Sequence, residues 1–175
     1  MTTPDIPPLQ PAALVARRAT AADHDVMHRL WQLFRHDLSA VTGALPGSDG
    51  RYRTERLDRA LAGETGWQAR LLESGPHPVG LAVARALDEP VAVISSFFVV
   101  AGARRTGAGR RLVGSVVATR PGRWSVAHQQ RNAAAAAFWP AVAAGLDPGW
   151  TSERRPVPGR PELPPDTWVT FSVTG

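Results

Sequence analysis

The chain has 175 residues, 43% of them hydrophobic and 20% charged, no Cys, and twenty basic residues that are all Arg, for a formal net charge of +5. That length suits one domain able to bury its own core. Without Cys there is no disulfide, thiolate metal site or cysteine nucleophile, and without Lys there is neither Schiff-base chemistry nor a Walker-type phosphate lysine. No apolar run approaches the roughly 20 residues of a membrane span and no basic-then-apolar signal pattern opens the chain, so the expected setting is the cytoplasm, with no membrane partner.

Residues 1–13 hold four Pro and little that could anchor a core, and read as a mobile leader to a domain over 14–175. A strand is expected at 14–19, ending at Thr20, placed to cap a helix with Asp23 in its first turn. Val26, Leu30, Leu33, Phe34, Leu38 and Val41 recur at helical spacing and predict a long amphipathic helix over 21–42, broken by the run GALPGSDG. A short helix follows at 54–61, then a strand at 67–72, a turn at ESGPHP and a hairpin partner at 79–87. The Val- and Phe-rich run 91–100 predicts a central strand covered on both faces. The glycine-rich AGARRTGAG leads into a helix at 110–119, then come a strand at 124–128, an alanine-rich helix at 132–144, a Pro-rich loop at 156–165 and a final strand at 167–173. This order describes an α/β domain around a mixed sheet.

The charge is unevenly placed. Between Pro90 and Leu146 there is no Asp or Glu but seven Arg, at 104, 105, 110, 111, 120, 123 and 131, while the rest of the chain carries thirteen Arg against fifteen acids, or −2. One segment makes the protein basic and is the place to look for an anionic partner. Within it, Arg104-x-x-Gly107-x-Gly109 lies between an apolar strand and a helix. Glycines there let the main chain approach a ligand, and the free N–H groups of the helix's first turn form an anion site. Arg104, Arg105, Arg110 and Arg111 add charge that can reach phosphates. The same turn also serves as an ordinary structural connection. The Arg residues cluster around it instead of forming an extended stripe, so nucleic acid is not the expected partner.

FFVVAGARRTGAGRRL resembles motif A of the GNAT acetyltransferase superfamily, and WSVAHQQRNAAAAAFW resembles its motif B, in which an Asn opens a helix; Asn132 is the only Asn here. The resemblance extends over about 14–173, since the order of elements matches. It implies a single-domain GNAT-like α/β fold: a mixed central sheet flanked by helices, with a strand pair splayed at the acyl-CoA site. It also implies acetyl-CoA as cosubstrate. The resemblance places the pantetheine arm on the main chain of Phe98, Val99 and Val100. The pyrophosphate falls to the amides of Arg105, Thr106, Gly107, Ala108, Gly109 and Arg110, with Arg104 and Arg110 as side-chain contacts. Asn132 would hydrogen-bond the pantetheine arm, and Phe138 would pack beside it.

The chain departs from the family at the catalytic positions. A Glu on the central strand and a Tyr on the motif B helix are replaced by Ser95 and Ser96 and by Phe138 and Trp139. Substitute groups are His128, because imidazole exchanges protons near neutrality, and Asp37, Asp49 and Tyr52, in a region that the resemblance places beside the acceptor cleft. Positioning of the reactants with water taking the proton is the further alternative. The expected reaction is N-acetylation of a primary amine, of a small molecule such as an aminoglycoside-like or polyamine-like compound rather than a protein. A protein N-acetyltransferase and an acyl-CoA-binding protein without turnover are the competing readings. No metal is expected: His24 and His28 share an i, i+4 face that exposed helix polarity explains. A homodimer stays open.

Overall fold

The computed structural model describes residues 14–175; the expected leader over 1–13 lies outside them. Seven strands form one sheet in the order β1-β2-β3-β4-β5-β7-β6. They are β1 (Leu14–Arg18), β2 (Gln68–Ser74), β3 (His77–Arg85), β4 (Val91–Val99), β5 (Gly122–His128), β6 (Thr151–Arg155) and β7 (Asp166–Val173). Every neighbouring pair is antiparallel except β4 with β5, which is parallel. Four helices flank the sheet: α1 (His24–Thr42), α2 (Glu55–Leu61), α3 (Ala108–Val117) and α4 (Ala133–Leu146). None of the described helices is long and apolar enough to cross a membrane.

Alternation along the strands sends side chains to two separate cores. On one face, Ala82, Ala84, Ala92, Ile94, Trp124, Val126, Val169 and Phe171 pack against Leu112, Val113 and Val116 of α3 and Trp139, Val142 and Ala143 of α4. On the other, Leu71, Leu81 and Val83 pack against Met27, Leu30 and Trp31 of α1 and Leu57 of α2. The second face is helix-covered only over β2, β3 and the C-terminal end of β4 at Phe98. Beyond that, Val91 and Val93 of β4 with Arg123, Ser125, Arg155, Trp168 and Thr170 line an open cavity of about 270 Å³.

The entry to α1 follows the sequence expectation closely. Asp23 accepts hydrogen bonds from the N–H and the hydroxyl of Thr20 and from the Arg17 guanidinium on β1, tying strand to helix. Gly43 ends α1 in the left-handed conformation at φ +69°. After it, Gln32 both donates to the carbonyl of Tyr52 and accepts from its N–H, and Trp31 Nε1 donates to the Arg53 carbonyl. The loop before α2 is thereby pinned to α1.

Several boundaries move by a few residues; the turn expected over ESGPHP narrows to Gly75 and Pro76, with β2 running on to Ser74 and β3 starting at His77. Two differences have clear physical reasons. Strand β6 falls in a stretch to which no element was assigned, because all five of its residues are exposed and nothing in TSERR alternates. It is an edge strand held by β7 alone. Helix α3 begins at Ala108, two residues before the expected start, because Gly107 itself serves as N-cap.

Candidate active site

The site begins with an irregularity in β4. Val83 opposes Ser96 and Ala84 opposes Ile94, which leaves Ser95 with no partner on β3. It is a bulge, and the Ser95 hydroxyl donates to the Val83 carbonyl at 3.1 Å. The extra residue shifts the side-chain alternation. Before it Ala92 and Ile94 face α3 and α4, whereas after it Phe97 and Val99 do so and Phe98 faces α1. The parallel pairing with β5 stops at the same place, running from Val91–Arg123 only to Ile94–Val126. From there the two strands part while each keeps its antiparallel neighbour.

The gap exposes main-chain groups of β4. Val100 N–H donates to the Val79 carbonyl on β3, so by alternation Phe98 also turns its main chain toward β3 while Phe97 and Val99 turn theirs toward the gap. Of the three backbone positions expected there, Val99 faces the gap and Val100 does not; Phe97 was missed. The signal for it lay in the bulge, a property of pairing that residue spacing does not carry.

At the mouth of the gap the chain makes a single 3-10 turn, Ala101–Ala103, and then a tight loop. Arg105 at φ +63° and Gly107 at φ +92° both adopt left-handed conformations, and the Thr106 hydroxyl braces the loop on the Ala103 carbonyl. The first intrahelical bond of α3 runs from Arg111 N–H to the Gly107 carbonyl. The N–H groups of Ala108, Gly109 and Arg110 therefore have no partner within the helix and point out of its N-terminus.

Arg104 does not extend into this mouth. Its Nε donates to the Val99 carbonyl at 2.8 Å, and its terminal nitrogen is ion-paired with Asp37 of α1. The extended backbone at Arg104 turns the side chain back along β4, where its guanidinium lies 5.8 Å from the centre of the Phe98 ring. Two residues expected in separate roles, a phosphate contact and a catalytic acid or base, are thus bound to each other.

The wall on the α4 side is aromatic. Phe138 stacks on Phe97 with ring centres 5.6 Å apart, and Trp139 meets both rings edge-on at 5.0 Å. A Cβ on Gly109 would come within 3.1 Å of the Phe138 ring, so the glycine lets α4 close over the first turn of α3. Asn132 caps α4, its Oδ1 accepting from the Ala135 N–H at 3.1 Å, which leaves its NH₂ group to donate elsewhere.

The four expected candidates, His128, Asp37, Asp49 and Tyr52, lie on β5, on α1 and in the loop after α1, and no hydrogen bond or ion pair joins any two of them among the described residues. His128 ends β5 on the opposite rim of the gap from β4. It is 5% exposed, with Nδ1 3.3 Å from the Gln129 carbonyl and Nε2 buried without a partner. Tyr52 lies against α1, where the Arg35 guanidinium is 5.9 Å from its ring centre. Asp49 takes the role of a turn residue, accepting from the Arg51 N–H at 3.0 Å. Away from these groups, His24, His28 and Asp58 bring three donor atoms within 4.8 Å of one another. His28 Nε2 is 3.0 Å from Asp58 Oδ1, a contact that bridges α1 and α2.

A parted parallel strand pair with helix N–H groups at its mouth, on a mixed sheet of this order, is the architecture of an acetyltransferase. The family model described as "Acetyltransferase (GNAT) family" matches residues 27–141, more than half of the chain. The chain belongs to the GNAT acetyltransferase family and is an acyltransferase of that type. No curated protein matches the sequence.

Similar solved structures share the fold at low identity. An acetyltransferase from Thermus thermophilus is 22% identical at a TM-score of 0.62, over 92% of this chain and 97% of that one. An Arabidopsis thaliana protein in complex with the bisubstrate analogue CoA-Ac-MVNAL is 14% identical at a TM-score of 0.59, over 91% and 99%. An aminoglycoside acetyltransferase from an uncultured soil metagenomic sample, in complex with sisomicin, is 17% identical at 0.58, over 75% and 88%.

Proposed function

We propose that the protein transfers an acetyl group from acetyl-CoA to a primary amine of a small molecule in the cytoplasm. The observation that carries this reading is the parting of β4 from β5 directly below the unpartnered N–H groups that open α3. A pantetheine arm carries amides that pair as a strand does, and the edge of β4 has the main-chain groups of Phe97 and the N–H of Val99 for it, the Val99 carbonyl being held by Arg104. The amides of Arg105, Thr106, Gly107, Ala108, Gly109 and Arg110 suit a pyrophosphate, with the side chains of Arg105 and Arg110 adding charge. Arg104 supports this indirectly by holding the end of β4. Asn132 has its NH₂ to donate, and Phe138 supplies an apolar wall.

Acetyl-CoA supplies an activated thioester, whose carbonyl carbon is attacked by the neutral amine nitrogen; the C–N bond forms, the C–S bond breaks, and CoA leaves as a thiolate that takes up a proton from solvent. The residues of this chain exclude water with the aromatic wall, orient the thioester along β4, and accept the proton that the amine loses. His128 Nε2 is the buried basic nitrogen without a partner on the rim of the gap, and it is the assigned acceptor. Asp37 is a weaker candidate because Arg104 already occupies it. Tyr52 is the further candidate, in the loop that the family resemblance puts beside the acceptor cleft. A reading as an acyl-CoA-binding protein without turnover draws on one observation: β4 offers only Ser95 and Ser96 where a carboxylate would serve.

The test is calorimetric titration with acetyl-CoA followed by assay of CoA release over a panel of amines. Micromolar binding and amine-dependent release are expected. Absence of binding removes the reading, and binding without release on any amine favours the alternative.

A further inference from the structure

On the face of the sheet opposite α3 and α4, the point where β4 and β5 part is surrounded by arginine. Arg56 of α2 reaches the carbonyl of Ser95, the bulge residue, with Nη1 at 3.5 Å. Arg85 lies on β3 opposite Val93 and on the same face as Leu81 and Val83, by alternation. Val93 in turn lines the open cavity, which Arg123 and Arg155 also border. Arg35 approaches from α1, its Nε buried without a partner.

None of Arg35, Arg56 and Arg85 has an acidic partner among the described ion pairs. The neighbouring acids are engaged elsewhere, Glu55 with Arg53 and Glu153 with Arg155. Burial lowers the pKa of Arg35 and of Arg85, and the like charge of Arg56 lowers both further, while Tyr52 and Glu55 act on Arg35 in the opposite direction, which places Arg56 within the field of each of the other two. Guanidinium stays charged under these conditions. Arg35 and Arg85 are half-buried and Arg56 is exposed; half-buried charges without an ion-paired partner are costly, and the unpartnered buried N–H of Arg35 calls for a ligand.

We propose that the acceptor is a small amine bearing a carboxylate, and that Arg56, with Arg35 and Arg85, holds the carboxylate beside the bulge at Ser95. This rests on the acetyl-transfer reading and names the substrate class for it. A guanidinium presents paired N–H donors that match the two oxygens of a carboxylate. The cavity along Val91, Val93, Ser125 and Thr170 has room for the rest of a molecule of amino-acid size. The cluster also bears on the missing carboxylate base. Nearby positive charge disfavours an ammonium and favours the neutral amine, which is the attacking form. The same charges oppose a polyamine or an aminoglycoside, the acceptors suggested by sequence alone.

The experiment compares matched acceptors on the intact protein. Acetyl-CoA affinity is measured first by calorimetry. CoA release is then assayed with free amino acids, their C-terminal amides, phosphoethanolamine, spermidine and sisomicin, and the same compounds are titrated calorimetrically into the acetyl-CoA-bound protein. The expected result is at least a tenfold preference, in turnover or in binding, for carboxylates over their amides. Arg56→Gln should raise KM for the preferred amino acid at least tenfold while leaving acetyl-CoA affinity and the circular dichroism spectrum unchanged, and Arg56→Lys should restore part of it. Equal use of acid and amide, preference for spermidine or sisomicin, preference for phosphoethanolamine, or no carboxylate preference in either measurement overturns the inference. With acetyl-CoA still bound, each leaves the acetyl-transfer reading standing. Absence of acetyl-CoA binding by the unaltered protein overturns that reading and this one together.

Discussion

Arg104 and Asp37 are ion-paired across the end of β4, so the first residue of the glycine-loop motif and an acid of α1 neutralise each other. Both side chains remain nearly half exposed, at 44% and 46%, and a pair so exposed contributes at most about 1 kcal/mol to stability. Asp37→Asn is therefore expected to change urea stability by no more than about 1 kcal/mol. It should leave acetyl-CoA affinity within a fewfold of the original, since it frees a guanidinium near the loop. A fall in kcat of about a hundredfold with KM unchanged would instead make Asp37 the proton acceptor.

Gly107 separates backbone conformation from packing. No atom lies within 4 Å of a Cβ added there, but its φ is +92°, so the cost of Gly107→Ala is conformational rather than steric. A loss of about 1–2 kcal/mol is expected in urea unfolding. The N–H groups that follow it should also be misdirected, weakening acetyl-CoA binding measured by calorimetry. Equal loss of stability without loss of binding would separate the loop's fold from its ligand.

At Gly109 two effects oppose each other. An alanine gains up to about 1 kcal/mol over glycine in a helix interior, and less in the first turn where Gly109 sits, but its Cβ would press on the Phe138 ring at 3.1 Å. Gly109→Ala alone is expected to be near neutral. In a Phe138→Ala background the same change should stabilise by up to about 1 kcal/mol, and thermal unfolding of the four proteins of the cycle checks this.

Asp23 sets an acid limit. The hydrogen bond from Arg17 holds its carboxyl well below the usual carboxylate range, burial opposes this, and Thr20 adds its N–H and hydroxyl in the same direction as Arg17. The folded state thus binds fewer protons than the unfolded one once the pH drops to about 4. The stabilisation is full above that pH and is lost as the pH falls toward the depressed folded value. Asp23→Asn should be less stable at pH 7 by roughly 2 kcal/mol, and its urea midpoint should fall less steeply between pH 4 and pH 2 than that of the unaltered protein.

Much of the scaffold was legible because its signals are local. The apolar run over β4, the helix read from the spacing of Val26 to Val41 and the Thr20–Asp23 cap all depend on near neighbours in sequence, and each element appears in the structure, although the face that α1 buries is Met27, Leu30 and Trp31 while Leu33 is exposed. The glycine loop was legible as a strand-to-helix turn for the same reason. Strand β6 was not, since full exposure removes the alternation that marks a strand. The pairing of Arg104 was not legible because its partner, Asp37, is 67 residues away. Arg35, Arg56 and Arg85 were missed because they lie outside the acid-free stretch, on three elements; only folding brings them together. Of the seven Arg inside that stretch, Arg120 is spent on the carbonyls of Leu87, Glu89 and Pro90, and Arg123 borders the open cavity on the other face.

The unopposed residue in β4 makes the strand run in two reading frames. Upstream of Ser95 the even-numbered positions belong to the core under α3 and α4, and downstream the odd-numbered ones do. A deletion of Ser95 would leave both interiors as they are, because Ser96 would follow Ile94 in regular alternation and every downstream residue would keep its partner on β3. The exchange would come from the opposite change: a strand that kept Ser95 but paired it regularly would deliver Phe98 to the core built around Phe97 and Val99, and send those two into the core of α1. The bulge thus absorbs one surplus residue of sequence without disturbing either interior, at the place where the sheet opens.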